Sequence, residues 1–487
     1  MKILLVCKSE YRYSFPAVAE RLKSLFGCEI AAMTFTTPST RMMEQTGVFS
    51  EVHNLAAYLK KFVDEHDLEE CIKLLRETRF AETLNSMVYA DRIIMRYPFE
   101  RVIRILAGIN GFWEGLLRQL RPDAIIGEIA CATEWIAYCV ATGLNIPYLA
   151  PYPTPVGKRV FFVRSPQGHW EEAEQRYQEI KRKDLAPEEE KIAAEFLREF
   201  RARKAKPPSL KTALRSPFHV EPDQFAGRIK RIPFRVRSWL EDGYFEVGSY
   251  HGTPPWEPVL HDVVRGFRHL ANENFVFKKE IPPGRKVYFP LHVQPEYTTD
   301  VRAPFLTNQP ALIDAIAKSV PIGYRVVVKE HPGMKGLRRS SYYRQFSKSY
   351  NVDLVSPSVD GHDLILGSDV NLTISGTTAW ESILYEKPVI AFARLCYSYF
   401  DLVVHCDNMS DLPYLISGTI RDFRPNRNLL LKFIWSFLDT AHTFQWGNAL
   451  STPSVAEDEN VDRIAKAIFF EAQGGRRLKA DPVSVSA

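Results

Sequence analysis

Asn371-Leu372-Thr373-Ile374-Ser375-Gly376-Thr377-Thr378-Ala379-Trp380-Glu381 reads as an apolar run, a tight turn holding one glycine, and the opening of a helix. A strand handed directly to a helix through such a turn is the recurring joint of a doubly wound α/β sheet. The first amides of a helix lack intrahelical partners and the Ser and Thr hydroxyls add donors, so Ser375, Gly376, Thr377 and Thr378 predict an anion site. The same turn also reads as a plain helix cap, with Glu381 three residues after Thr378 closing a capping box. Glu381 can alternatively accept hydrogen bonds from a ribose.

Working outward, apolar and helical stretches alternate on both sides of this joint. Strands are predicted at 285–291, 324–329, 352–355, 370–374 and 388–393, with helices at 311–318, 340–348, 362–366 and 379–385 between them. Open α/β sheets bind ligands at the carboxyl ends of their strands. Two further strand ends carry polar side chains. One runs His292-Val293-Gln294-Pro295-Glu296; the other runs Lys329-Glu330-His331-Pro332-Gly333, where Pro and Gly enforce a turn. Taken singly, His331 also reads as a satisfied histidine and Glu296 as a solvated loop acid. Their placement at successive strand ends favours one shared site.

The amino-terminal 165 residues show a second β-α alternation. It opens on Lys2 to Cys7, continues through a long helical region from Asn54 to Leu120, and returns to strand at Asp123 to Gly127 and at 146–150. Glu128 follows one strand end, Glu134 lies on the next helix, and Glu10 follows the first strand. A carboxylate at a strand end facing a cleft can act as general base or covalent nucleophile, which makes Glu128 the first candidate and Glu134 and Glu10 its reserves. Each also reads as a surface or capping acid.

The expected organisation is a Rossmann-type domain at 1–165, a helical and basic insertion at 166–284, a second Rossmann-type domain at 285–425, helices at 426–473 crossing back onto the first domain, and a mobile tail at 474–487. Within the insertion, 170–205 predicts a solvated helical pair broken near Ala186-Pro187. Twelve Lys/Arg stand against three Asp/Glu between Arg198 and Arg237. With Phe218, Phe225, Phe234 and Trp239, this stretch suits a peripheral contact with anionic membrane or a pyrophosphate-linked acceptor, or equally a basic surface linker.

Composition excludes several classes. The 487 residues are 45% hydrophobic and 25% charged, as in soluble globular chains, and call for two or three domains. No run approaches the roughly 20 apolar residues of a membrane span. Seven scattered cysteines without a C-x-x-C argue against disulfides and zinc and fit a reducing cytoplasm. A net charge of +5 is too mild to call for nucleic acid. There is no G-x-x-x-x-G-K-[ST], G-x-G-x-x-G, G-x-S-x-G, H-E-x-x-H or D-x-D. Charge on a leaving phosphate would therefore be met by Lys329, His331 and a helix dipole, without a metal.

Lys329-Glu330-His331-Pro332, the Ser375 to Glu381 segment, and Lys387-Pro388-Val389-Ile390 together resemble the bacterial capsule polysaccharide synthesis and export family, over residues 285 to 400. That family includes Kdo transferases built as GT-B enzymes, two Rossmann-type domains facing a cleft. The resemblance implies that Lys329, His331, Pro332 and Ser375 to Thr378 hold the phosphate and cytidine of a CMP-sugar, with His292, Gln294 and Glu296 lining the cleft. It implies transfer of Kdo or another activated sugar to a surface polysaccharide or lipid-linked glycan at the inner face of the cytoplasmic membrane, using a nucleotide-sugar as substrate and no cofactor. A nucleotide-sugar 2-epimerase, a CDP-polyol phosphotransferase and an inactive assembly or export partner are the alternatives.

Overall fold

The computed structural model describes residues 1–8, 11, 13–91, 93–155, 157–204, 233, 236, 237, 239–242, 257–346, 349–447, 449 and 452–474; for 203 and 257–263 it describes the backbone alone. Glu10, most of the basic 198–239 stretch and nearly all of the 474–487 tail lie outside the described residues.

Two parallel sheets organise the chain. The first has the order β13-β6-β5-β4-β1-β2-β3, built from β1 (Lys2–Cys7), β2 (Glu29–Thr34), β3 (Glu51–Asn54), β4 (Ala124–Ile126), β5 (Tyr148–Pro153), β6 (Arg159–Val163) and β13 (His442–Thr443). Only β6 and β13 run antiparallel to their neighbours. The second has the order β12-β11-β10-β7-β8-β9, entirely parallel, from β7 (Lys286–Pro290), β8 (Arg325–Lys329), β9 (Val352–Val355), β10 (Val370–Thr373), β11 (Val389–Ala391) and β12 (Val404–His405). Helices cover both faces, which is why the strands are apolar on both sides. In β8, Val326 and Val328 enter one core while Val327 enters the opposite one. In β1, Leu4 and Val6 face one core and Ile3, Leu5 and Cys7 the other.

Three departures from the sequence reading have clear causes. The long helical region resolves into four helices, Leu55–Glu65, Leu68–Arg76, Leu84–Ala90 and Phe99–Leu120, because Asn54 and Asp67 accept hydrogen bonds as side-chain caps and Pro98 precedes the last. The helices Glu171–Ile180 and Pro187–Arg203 do break near Ala186, but the pair is not solvated. Ala173, Tyr177, Ala193, Leu197 and Phe200 are buried against the helix Arg427–Thr440, since their charged faces conceal apolar stripes of helical period. The helix at 340–348 shortens to Ser340–Tyr343.

This helical layer positions the second sheet's key joint. Trp380, inside the helix Thr377–Leu384, is fully buried and packs edge-on against Trp170 at 5.5 Å and Phe433 at 5.2 Å. The chain then returns to the first domain: β13 pairs with β6, and the helix Asp458–Ala472 lies on Phe15–Phe26, with the Phe26 and Phe469 rings stacked at 4.0 Å.

Candidate functional site

A small cleft of about 90 Å³, open to solvent, lies at the carboxyl ends of β7, β8 and β10. Lys329, His331 and Pro332 line one wall, Thr377, Thr378 and Glu381 another, and the 358–362 loop after β9 a third. The polar runs after β8 and β10 meet here, whereas the end of β7 contributes Tyr288, Pro290 and Leu291 and not the polar run that follows it. The Ser358 to His362 wall carries no motif and is absent from the sequence reading.

The floor is a hydrogen-bonded frame around His292. Its Nε2 accepts from the Ser375 amide at 3.3 Å and lies 3.1 Å from the Thr373 hydroxyl, which itself accepts from the Gly376 amide at 3.1 Å. Burial, with His331 and Arg338 nearby, pushes the His292 imidazole down to about 3, so it is neutral. A Cβ at Gly376 would stand 3.0 Å from His292 Nε2 and 3.1 Å from Thr373 Oγ1, so a side chain there would press on the frame.

Several expected roles are corrected. His292 is buried beneath the turn and does not line the cleft. The Ser375 hydroxyl donates to the Thr298 carbonyl, so it is committed to the loop behind it. Gln294 donates to the Thr307 carbonyl at 2.8 Å and accepts from Gln309, because the loop after β7 must satisfy its own buried backbone. Glu296 stands at the N-cap position of the short helix Tyr297–Asp300 without a side-chain capping bond, and its carboxylate accepts from the Thr298 hydroxyl at 2.7 Å. The amides of Ser375 and Gly376 are consumed below the turn, and no side chain caps Thr377–Leu384. An anion would therefore meet the Thr377 and Thr378 end of the turn.

The β8 end is fixed by a buried ion pair that sequence inspection misses. Arg338 reaches both Glu330 oxygens at 2.9 Å, and Tyr343 donates to the same carboxylate at 2.7 Å. Arg338 also donates to the His292 carbonyl at 2.5 Å, joining the ends of β7 and β8. Beside this frame, His331 Nδ1 accepts from the Gly333 amide at 3.0 Å. Burial, then Lys329 and Arg338, lowers His331 to about 4. A neutral ring whose Nδ1 accepts carries its proton on Nε2, leaving one directed donor beside a lysine.

In the first domain, β1 and β4 end in a second polar cluster. Lys8 lies 3.0 Å from both oxygens of Glu134, which also accepts from the Ala130 amide at 2.8 Å. Burial alone would lower the Lys8 ammonium; Cys131, Glu134 and Glu128 reverse this and hold it above the lysine range. Glu134 is completely buried in this pair, so it is corrected from a reserve catalytic acid to an internal counter-ion. Glu128 is only partly buried and accepts from the Tyr11 hydroxyl, while Tyr148 donates to its carbonyl at 2.9 Å. Gly127 is needed because a Cβ there would meet Val6 at 2.7 Å and Tyr148 Oη at 2.8 Å.

Arg302 joins the domains. Its guanidinium is held between the rings of Tyr152, at 4.3 Å, and Tyr297, at 4.2 Å, and donates to Tyr152 Oη at 2.6 Å. Among the described residues, no group of three or more His, Cys, Asp and Glu is arranged to hold a metal ion, and no helix is long and apolar enough to cross a membrane.

No known sequence family matches the chain, nor does any curated protein. Similar solved structures include the Thermosulfurimonas dismutans KpsC β-Kdo 2,4 transferase, at 15% identity and TM-score 0.36 over 65% of this chain and 79% of that one. Another is the UDP-GlcNAc 2-epimerase from Neisseria meningitidis bound to UDP-GlcNAc, at 12% identity and TM-score 0.31 over 97% and 100% of the two chains. The calicheamicin glycosyltransferase CalG4 is a third, at 12% identity and TM-score 0.28 over 97% and 98%. The chain's own architecture, two Rossmann-like domains with parallel sheets, is of the GT-B type.

Proposed function

We propose that this protein is a metal-independent glycosyltransferase that moves a sugar, Kdo or another CMP-activated one, from a nucleotide donor to a surface polysaccharide or lipid-linked glycan. The observation that carries the reading is the convergence of Lys329, the His331 Nε2 donor and the uncapped Thr377 end of a helix on one cleft. Together they suit a phosphate whose negative charge grows as its bond to the sugar breaks. Glu381, in the same cleft, is the ribose acceptor.

Glu128 is the carboxylate assigned to the acceptor side. As general base it takes the proton of the acceptor hydroxyl while that oxygen bonds to the sugar and the nucleotide phosphate leaves. If it acts instead as nucleophile, a glycosyl adduct on Glu128 is detectable by intact mass. Such a reaction belongs on the cytoplasmic side of a membrane, where nucleotide-sugars are made.

Thermal-shift measurements with CMP, CDP, UDP and GDP, followed by donor-turnover assays on those that bind, test the reading. Binding of at least one nucleotide is expected, together with its loss by about tenfold or more in His331→Ala, since a hydrogen bond to a charged group is worth roughly 1.5–3 kcal/mol. Failure of all four nucleotides to bind the wild-type protein would overturn the assignment. Nucleotide release only in the presence of a glycan acceptor separates transfer from epimerisation.

A further inference from the structure

Trp446, on the segment that crosses back after β13, lies beside the Glu128 cluster. Its indole Nε1–H donates to Tyr11 Oη at 3.0 Å, and Tyr11 donates to Glu128 Oε1. The rings of Tyr11, Phe15 and Trp446 pack mutually at 5.3 to 5.8 Å, and the adjoining Phe444 is buried in the same core. The segment is therefore anchored by apolar packing, so Trp446 can spend its one polar atom on the phenol.

An indole N–H can only donate, whereas a phenol can donate and accept. Once Trp446 occupies a lone pair of Tyr11, the phenolic hydrogen is directed to Glu128. Burial and the nearby Glu128 hold the Tyr11 phenol well above its ordinary range, so it stays protonated and remains a donor. Glu128 is thereby gripped through Oε1.

We infer that Tyr11 and Trp446 are positioning residues for Glu128, orienting its second oxygen toward the acceptor hydroxyl, so that the carboxyl-terminal segment completes the acceptor-side half of the site. This rests on the assignment of Glu128 as the carboxylate that acts on the acceptor. Neither aromatic residue touches substrate in this arrangement. Their effect passes through the carboxylate, on the chemical step rather than on donor binding.

The test uses the full-length protein and four variants, Trp446→Phe, Tyr11→Phe, their double variant and Glu128→Gln, with nucleotide release from CMP-Kdo and other nucleotide-sugars in the presence of a glycan acceptor as readout. Trp446→Phe keeps an aromatic ring against Tyr11 and Phe15 and removes the N–H together with part of the indole's apolar area. It is expected to lower kcat about tenfold, the scale of one hydrogen bond, with donor KM unchanged and any loss of packing read separately as a lower Tm. Because the two bonds act in series, the double variant should be no slower than Tyr11→Phe alone, whereas independent packing effects would multiply. Loss of turnover in Glu128→Gln with unchanged kcat in Trp446→Phe and Tyr11→Phe would overturn this inference and leave the functional reading standing. Full turnover in Glu128→Gln would overturn this inference together with the assignment of Glu128 while leaving the transferase reading standing, and no turnover by the wild type with any donor would overturn both.

Discussion

At His331 a single backbone amide decides the chemistry: the Gly333 N–H fills Nδ1 and so assigns the ring proton to Nε2. The same burial that makes this donor also makes it sensitive to acid. The imidazole titrates near 6.5 in the unfolded chain but at about 4 when folded, and His292 at about 3. A base whose folded pKa is depressed contributes stability above its unfolded pKa, and that stability is lost as pH falls toward the folded value. Tm is therefore expected to drop by several degrees as pH falls from about 6.5 toward 4, and to drop less in His331→Asn. Parallel pH profiles of the two proteins in a melting experiment would refute the assignment of this sensitivity to His331.

At the scale of elements, the site depends on strand ends held in register by groups that never meet a ligand. Arg338 ties β8 to β7 through Glu330 and the His292 carbonyl. Glu330 is completely buried, so removing its cation leaves an uncompensated interior charge. Arg338→Met is expected to cost about 3–5 kcal/mol in denaturant unfolding, and the added change Glu330→Gln to recover much of it. If Arg338→Met proved neutral, the frame would have to be maintained by Tyr343 and the backbone alone. The turn at Ser375 belongs to this scale too. Its sequence predicts an anion site, with a plain helix cap as the alternative, and the structure makes its first residues the roof of the His292 frame.

At the scale of the whole molecule, Arg302 between Tyr152 and Tyr297 and the carboxyl-terminal segment running from the second domain to β13 and Trp446 join the helical layer around Trp380 in bringing the domains together. A desolvated cation over an aromatic face is worth about 2 kcal/mol or more. Arg302→Met keeps a flexible apolar chain in place and removes that attraction along with the Tyr152 hydrogen bond. The expected result is a looser junction, visible as a larger radius of gyration in small-angle scattering, with nucleotide binding retained because the cleft lies within one domain. An unchanged radius would show that the helical layer around Trp380 fixes the domains unaided.

The β-α alternation and the polar strand ends were legible from residue order, because strand and helix periods and the turns set by Gly and Pro are local properties, whereas the GT-B-type pairing of the two sheets was implied only by the family resemblance. Lys329, His331, Thr377, Thr378 and Glu381 could be nominated for the same reason: each sits at a strand end or in the first helical turn after one. Which polar groups remain available to a ligand was not legible. His292, Gln294, Ser375 and Glu134 have the right chemistry but are engaged in internal bonds, with Thr373, Thr307, Thr298 and Lys8. Those partners are chosen by packing across long separations, as Trp446 is chosen for Tyr11 from 435 residues away. Residue order determined the scaffold and its chemical vocabulary; only the tertiary structure decided which side chains build the frame and which face the cleft, since a buried polar group must find its partner wherever the fold brings one.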